Sequence, residues 1–346
     1  MKTESIDGRA ADTFTVGRIK KNLAQSSWIG GIFTNRDSTA KGDYNRLFGL
    51  DAKFRMFQRL ELGAYILKSQ TPGISERNEA RQFEVAWLDQ DFTIGARYHE
   101  TQENFNPEVG FVRRKNVENT SANLSWRPRI EGSKRIRNLT FETGIDYYAN
   151  NQGKIETREQ KLQTGIAFFG GSAINLNATR TFDRLSRNFP IQSNISIPIG
   201  DYNYDSYSIR YNSNRARKVA GNVRYQFGEF WNGRRESATF GLALKPSPHL
   251  NLNLDYSRNQ VRLSNGSFNT NLLGTRLLYS FSTKIFLNAF LQYNTAARQF
   301  SSNIRFHIIH RPLSDFYVVF NERRDTQTGQ LLDRALVIKF TQMFSF

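Results

Sequence analysis

Leu250–Asn251–Leu252–Asn253–Leu254–Asp255–Tyr256–Ser257 is the stretch that decides the fold. Leu250, Leu252, Leu254 and Tyr256 take alternate positions, with Asn251, Asn253, Asp255 and Ser257 between them. Successive side chains of a strand point to opposite faces, so these residues form one apolar and one polar face as a strand. No helix makes that face, because helical neighbours recur every three to four residues.

The same period continues in both directions. Downstream, the turn sequence Ser264–Asn265–Gly266–Ser267 reverses the chain into Leu273, Leu277, Tyr279 and Phe281. Ile285, Leu287, Ala289, Leu291 and Tyr293 follow, then Ile304, Phe306 and Ile308, then Phe316, Val318 and Phe320. The last stretch, Arg334–Phe346, sets Leu336, Ile338, Phe340, Phe344 and Phe346 on one face, which Gln342 interrupts once. That stretch alone fits the edge of a soluble sandwich as well as the closing strand of a membrane barrel. Upstream, Phe48, Leu50, Ala52, Phe54 and Met56 oppose Gly49, Asp51, Lys53 and Arg55. Phe92, Ile94, Ala96 and Tyr98 oppose Thr93, Gly95, Arg97 and His99, and Val223, Tyr225 and Phe227 oppose Asn222, Arg224 and Gln226. Trp28–Thr34 is compatible with either register, and Phe14 and Val16 open the series.

No segment carries a sustained apolar stripe at helical spacing, no linker divides the chain, and no repeat of propeller length is visible. The reading is a single continuous antiparallel meander of roughly 18 to 19 strands, each near the ~10 residues a membrane strand needs. All-β, an antiparallel transmembrane β-barrel spanning residues 1–346 with no second domain, is the expected architecture. Composition agrees. Hydrophobic residues are only 38% of the 346, and no apolar run approaches the roughly 20 residues of a spanning helix. Aromatic residues nevertheless reach 13%. A barrel reconciles the two values, since only alternate residues face lipid.

The absence of Cys removes disulfides, thiolate catalysis and Cys-based metal sites. The first ten residues have no apolar core of the kind a secretory signal needs. The formal charge of +17 admits nucleic acid, anionic headgroups or an anion-selective pore. Its Lys and Arg are dispersed, with short groups such as Arg18–Lys21, Arg113–Lys115, Lys134–Arg137, Arg215–Lys218 and Arg234–Arg235 read as turn and rim charges. A soluble basic β-protein that binds nucleic acid is therefore the weaker alternative, and no nucleic-acid partner is expected.

Long connections are expected at Asn35–Asp43, Thr71–Arg77, Glu103–Lys115, Ser186–Asp201, Phe230–Glu236 and Thr326–Asp333, alternating with short ones such as Ser282–Lys284 and Arg311–Ser314. Bacterial barrels have short periplasmic turns and longer outer loops. This parity makes the strand Phe14–Asn22 run inward, so the sequence reads as the C-terminal portion of a larger barrel. Asn106–Phe111 either folds over or into the pore, or is a surface loop closed by Pro and Gly.

Catalytic candidates are few. His99, His249, His307 and His310 are scattered, and His307 and His310 fall on different faces of one strand, so no metal site is expected. No spacing proposes a Ser or Asp beside a His, Gly30–Gly31 and Gly170–Gly171 read as bends or turns, and no cofactor is expected. Arg55, Arg97, Arg224 and Arg305, with Asp51, Asp146 and Asp255, face the lumen as candidates either for an anion-selective path or for a lattice of paired charges.

Phe14–Asn22, Gly42–Arg46, Phe105–Arg114, Ile197–Tyr202 and Tyr317–Asp325 together resemble the barrel-forming C-terminal region of the DUF5916 outer-membrane family of Gram-negative bacteria. Members of that family carry further strands and a domain like the family-9 carbohydrate-binding module ahead of this region. The resemblance implies the cell outer membrane as location, with outer-membrane lipid and lipopolysaccharide as partners. Glycans are implied only through the preceding domain. The function expected is non-enzymatic: a channel or transport component, or a membrane anchor for that domain. The alternative is a barrel enzyme acting on lipid or polysaccharide.

Overall fold

The structure, a computed structural model, describes residues 3–4, 10–24, 26–192 and 194–344. The expectations placed on Ser345 and Phe346 lie outside the described residues. Among the described residues nineteen strands form one sheet and two short strands form a separate hairpin. The first half of the sheet comprises β1 (Asp12–Ala24), β2 (Ser27–Ser38), β3 (Tyr44–Met56), β4 (Leu60–Gln70), β5 (Glu79–Leu88), β6 (Phe92–Thr101), β7 (Val117–Trp126), β8 (Ile136–Ala149), β9 (Ile155–Phe168) and β10 (Ala173–Leu185). The hairpin is β11 (Phe189–Gln192) and β12 (Ile195–Ile197). The sheet resumes with β13 (Gly200–Asn212), β14 (Val219–Phe230), β15 (Gly233–Ser247), β16 (Leu250–Leu263) and β17 (Gly266–Ser280). It ends with β18 (Ile285–Asn294), β19 (Gln299–Arg311), β20 (Ser314–Asp325) and β21 (Leu331–Phe340).

Every strand of the sheet pairs antiparallel with its neighbours in the chain, and β10 pairs with β13 across the hairpin. This is the up-and-down meander of a transmembrane β-barrel. Among the described residues β1 and β21 are not paired with each other. No helix of the described residues is long and apolar enough to cross a membrane. The sheet does so by its faces.

Alternation is what sorts the residues. Leu250, Leu252, Leu254 and Tyr256 stand opposite Tyr279, Leu277, Thr275 and Leu273 on the outward face, and Asn253 and Asp255 stand opposite Arg276 and Gly274 on the inward face. Following the register from strand to strand keeps these faces separate around the whole sheet. The first four or five outward positions of most strands, counted from the short-turn end, are predominantly apolar: Leu60, Leu62, Ala64 and Ile66 on β4, and Phe316, Val318 and Phe320 on β20. Four to five alternate positions on strands tilted by about 40° span roughly 20 Å, close to the ~25 Å apolar band of a membrane barrel. Trp87, Phe92, Trp126 and Phe281 mark its lower border, and the outward Tyr98, Tyr147, Tyr207, Tyr225, Tyr256 and Tyr293 mark its upper one.

Above that border the outward face turns charged, and cross-strand pairs fill it. Lys68–Glu79 (3.0 Å), Arg81–Glu100 (2.5 Å), Arg180–Asp205 (2.9 Å), Arg184–Asp201 (2.5 Å) and Arg334–Glu322 (2.6 Å) each join directly opposed residues. Strands therefore extend further than their apolar residues suggest. Phe230–Glu236, expected as a long loop, holds only the two-residue turn Trp231–Asn232, with Arg234 and Arg235 already inside β15. Arg18–Lys21 likewise lies within β1. Asn35–Ser38 belongs to β2, so that loop shrinks to Thr39–Asp43, and Ser186–Asp201 contains the hairpin β11–β12. The last strand begins at Leu331 and ends at Phe340, rather than running from Arg334 toward the end of the chain.

One further expectation fails. Gly30–Gly31 is no bend but the middle of β2. The β3–β4 turn places Phe57 (φ 51°) and Gln58 (φ 61°) in the left-handed region, with Arg59 N–H donating to Met56 O at 3.2 Å. The bond closes a tight three-residue connection, Phe57–Arg59, between the paired Met56 and Leu60, made without Gly or Asn at its positive-φ positions.

Candidate functional site

The inward face is largely polar, with apolar positions in two places: Leu272, Leu278, Phe286, Phe290, Val319 and Val337 on β17–β21, and a patch on β2–β5 that a loop covers. On β2–β5 the inward positions include Ile32, Leu47, Leu67 and Ala80, with Tyr65 beside them. The segment 102–116 folds inward onto this patch. Phe105 (3% exposed) packs between Leu47 and Ala80, and Ile32, Tyr65, Leu67 and Val112 complete the cluster. Gly49 makes room for it: a Cβ there would stand 2.2 Å from Leu67 Cδ2 and 2.7 Å from Ile32 Cγ2.

Polar groups latch the loop on each side of this cluster. Asn45 is fully buried; its Nδ2 donates to Asn106 O (2.8 Å) and to Thr71 Oγ1 (2.9 Å), and its Oδ1 accepts from Glu108 N–H (3.3 Å). Asn106 N–H donates to Ser69 Oγ at 3.0 Å, and Asn104 N–H to Arg77 O at 2.9 Å. The Arg36 guanidinium gathers three carboxylates, those of Glu108, Asp43 (2.5 Å) and Asp12 (3.1 Å). Its hydrogen bond to Asp43 holds that carboxyl below the usual carboxylate range. A cavity of about 810 Å³ remains between the loop and the wall, bordered by Arg97, His99, Arg113 and Arg114.

Along β6 to β14 the inward face is mainly hydrophilic. A second cavity, about 750 Å³, lies along β6 to β14 and is bordered by Arg97, Lys161, Asn175, Asn177, Arg210 and Arg224, together with Glu142 and Asp146. The candidate lumen arginines all face inward but differ in their partners. Arg55, near the short-turn end, is tied to Glu61, which Lys53 also reaches at 2.9 Å. Arg97 stands opposite Glu84 in register but makes no ion pair within the described residues. Arg224 donates from Nη2 to Gln226 Oε1 at 3.2 Å and is directly opposed by Arg210. Arg305 stands between Asn288 and Val319 without an ion pair among the described residues. Asp51 pairs with Arg18 at 2.6 Å, whereas Asp146 and Asp255 have no such partner among the described residues. Structure thus divides the set: Arg55 and Asp51 belong to a paired lattice, and Arg97, Arg224 and Arg305 do not.

Arg36, Asn45 and Arg210 carry the site equally and escaped the sequence reading. Arg36 was hidden in a presumed loop. Arg210 sits plainly between Ile209 and Tyr211, but its meeting with Arg224 depends on the β13–β14 register.

At the long-loop rim the hairpin β11–β12 bends across neighbouring turns. Ile197 is fully buried, Phe189 packs on Trp231 with ring centroids 5.6 Å apart, and Asn265 Nδ2 donates to Ser196 O at 2.6 Å. The histidines have local roles. His307 bonds Asp315 at 2.8 Å and stacks on Tyr317, His310 bonds Gln342 at 2.8 Å, and no group of metal-binding side chains occurs among the described residues.

Fold and site define a membrane-barrel protein with an inward-folded loop and a polar inner wall. Among solved structures the chain is similar to in-vitro folded OmpT, an outer membrane protein of Vibrio cholerae, in its trimer form. That likeness has a TM-score of 0.40 and 9% identity over 94% of this chain and 95% of that one. Outer-membrane expressed OmpT of Vibrio cholerae gives a TM-score of 0.40 and 9% identity over 97% and 96%. No protein-family model matches the chain, and no curated protein matches it in sequence.

Proposed function

We propose that this protein is a non-enzymatic outer-membrane β-barrel of a Gram-negative bacterium that serves as a channel or transport component, with segment 102–116 narrowing its lumen. The observation that carries the reading is Phe105, held on the inner wall by Leu47, Ala80 and the Arg36–Glu108 latch. A loop fixed inside a polar lumen restricts what passes, because its position sets the free cross-section. The unpaired Arg97, Arg224 and Arg305 favour anions on that path.

The long-loop end faces the cell exterior in this reading, consistent with the longer connections there. Arg234, Arg258 and Arg262, outward and above the tyrosine border, then meet the phosphates of outer-leaflet lipid and lipopolysaccharide. Planar-bilayer conductance tests the proposal. Discrete, anion-preferring openings that widen when Phe105 is replaced by Ala are expected. A silent barrel, in both the parent and the variant, favours the anchor role that the sequence resemblance implies and overturns the channel.

A further inference from the structure

Arg210 on β13 and Arg224 on β14 are directly opposed residues of the inward face. Like charges placed opposite one another across a ladder repel, and neither arginine has an ion pair among the described residues; the inward carboxylates around them, Asp255 beyond Asn222 and Gly241 and Glu142 beyond Gln163, stand at least two strands from the pair. Along their own row the neighbours are Gly165, Asn175, Thr239 and Ser257. The adjoining row toward the long loops reads Gln163, Asn177, Ser208, Gln226, Ser237 and Asn259, again without a carboxylate. Elsewhere the wall treats arginines differently: Arg18, Arg55, Arg127 and Arg323 each have an acidic partner.

Arg224 adds a second observation. Its Nε is shielded from solvent and has no hydrogen-bond partner, while Nη2 is held by Gln226 Oε1 at 3.2 Å. A guanidinium thus fixed at one corner keeps a donor unanswered, and a buried donor left so costs free energy. Two forked cations, neutral amide and hydroxyl neighbours, and an adjoining cavity of about 750 Å³ are the elements from which oxyanion sites are built.

We infer that Arg210 and Arg224, assisted by Asn175 and Gln226, form a discrete binding site for a divalent oxyanion, phosphate or sulfate or a solute bearing such a group. The site deepens the channel reading by naming what the lumen retains, yet it stands on the register of β13 and β14 alone. Binding two charges between two guanidinium groups cancels the repulsion that the empty wall carries. The anion therefore stiffens this part of the barrel as it binds.

The test is titration calorimetry of the folded protein in neutral detergent with inorganic phosphate, at fixed ionic strength set by chloride. Parent protein is expected to bind one phosphate saturably. The double variant Arg210→Gln/Arg224→Gln is expected to lose affinity at least about tenfold, as the loss of charge-assisted hydrogen bonds predicts. Arg224→Lys keeps the charge but not the fork, and should fall between the two. Arg276→Gln, an inward arginine outside the pair and outside the anion path, should bind as the parent does. Heat-modifiable gel migration establishes that each variant is folded. Absence of saturable binding to the parent, undiminished binding to the folded double variant, or an equal loss in Arg276→Gln would each overturn the site. A silent barrel that still binds phosphate at the pair would refute the channel and leave this site standing, whereas a conducting barrel that binds none would do the reverse.

Discussion

Two parts of one inner wall, β2–β5 and β9–β15, obey the same alternation and end up differently. In the first, inward positions carry Ile32, Leu47, Leu67 and Ala80, and a loop covers them. In the second they carry Asn175, Asn177, Ser208, Arg210, Arg224 and Gln226, and they stay open to the lumen. An apolar side chain on the inner face of a barrel has no lipid to meet, so burial needs a second layer of protein. The difference teaches that the inward apolar patch of β2–β5 is where a loop lands, whereas the inward apolar residues of β17–β21, such as Leu278, Phe290 and Val319, line the wall without one among the described residues. A run of inward amides and cations marks where water and solutes remain.

The sharpest way to break that contrast is to remove the landing pad. Phe105→Ala is expected to cost the loop about 3 kcal/mol of its attachment, the usual size for a buried phenylalanine. Limited proteolysis should then cut between residues 103 and 115 while heat-modifiable migration shows the barrel intact. Intact migration with no new cleavage would mean that the polar latch alone suffices. Gly49→Val attacks the same patch from the wall, because its Cβ meets Leu67 at 2.2 Å. A loss of about 1–3 kcal/mol from overpacking is expected, read as a lower midpoint in urea.

Acid offers a smaller, reversible perturbation. Arg36 holds the Asp43 carboxyl below its ordinary range, so the folded group binds protons less readily than the unfolded one. Its stabilising contribution is complete above the unfolded value, near pH 4, and is lost as the pH falls through the depressed folded value. Protection of the segment 102–116 amides, as the exchange rate relative to the intrinsic rate at each pH, should be flat from neutrality to about pH 4 and fall below it. Arg36→Gln should remove that acid step; its persistence would place the acid sensitivity elsewhere. The mildest test lies on the open side. Arg305→Gln is expected to lower the anion preference of the conductance slightly without altering stability, and a change in the denaturation midpoint would reveal a structural pairing instead.

Strand number, antiparallel order and the facing of residues such as Leu250–Ser257 were legible because a period of two admits one explanation. Boundaries at the long-loop end were not. There the outward face leaves the lipid and carries charge, so Arg180, Arg184, Arg234 and Arg334 remove the hydrophobic alternation although the backbone stays in the ladder. Polar-on-both-faces strand and loop look alike in sequence. The two-residue turn at Trp231–Asn232 was lost in this way. Of the site, Arg97, Arg224 and Arg305 were visible as inward cations, since alternation alone assigns a face. Which of them has a carboxylate depends on register between strands, and register appears only when the neighbours are aligned. The loop 102–116 was conspicuous through its Pro and Gly. Its inward course rested on Leu47, Leu67 and Ala80, whose meaning emerges only when β3, β4 and β5 are side by side.

The count of strands has a geometric consequence of its own. The nineteen sheet strands among the described residues are odd in number, and in an up-and-down sheet every second strand runs the same way, so β1 and β21 both travel from the long-loop rim to the short-turn rim. A seam drawn directly between them is necessarily parallel, with evenly spaced, slanted hydrogen bonds that are slightly weaker per residue than the rest of the wall. An all-antiparallel ring through the same two edges takes an odd number of additional strands. Under lateral tension a ring of the first kind opens along one predetermined line, whereas a ring of the second kind has no such line.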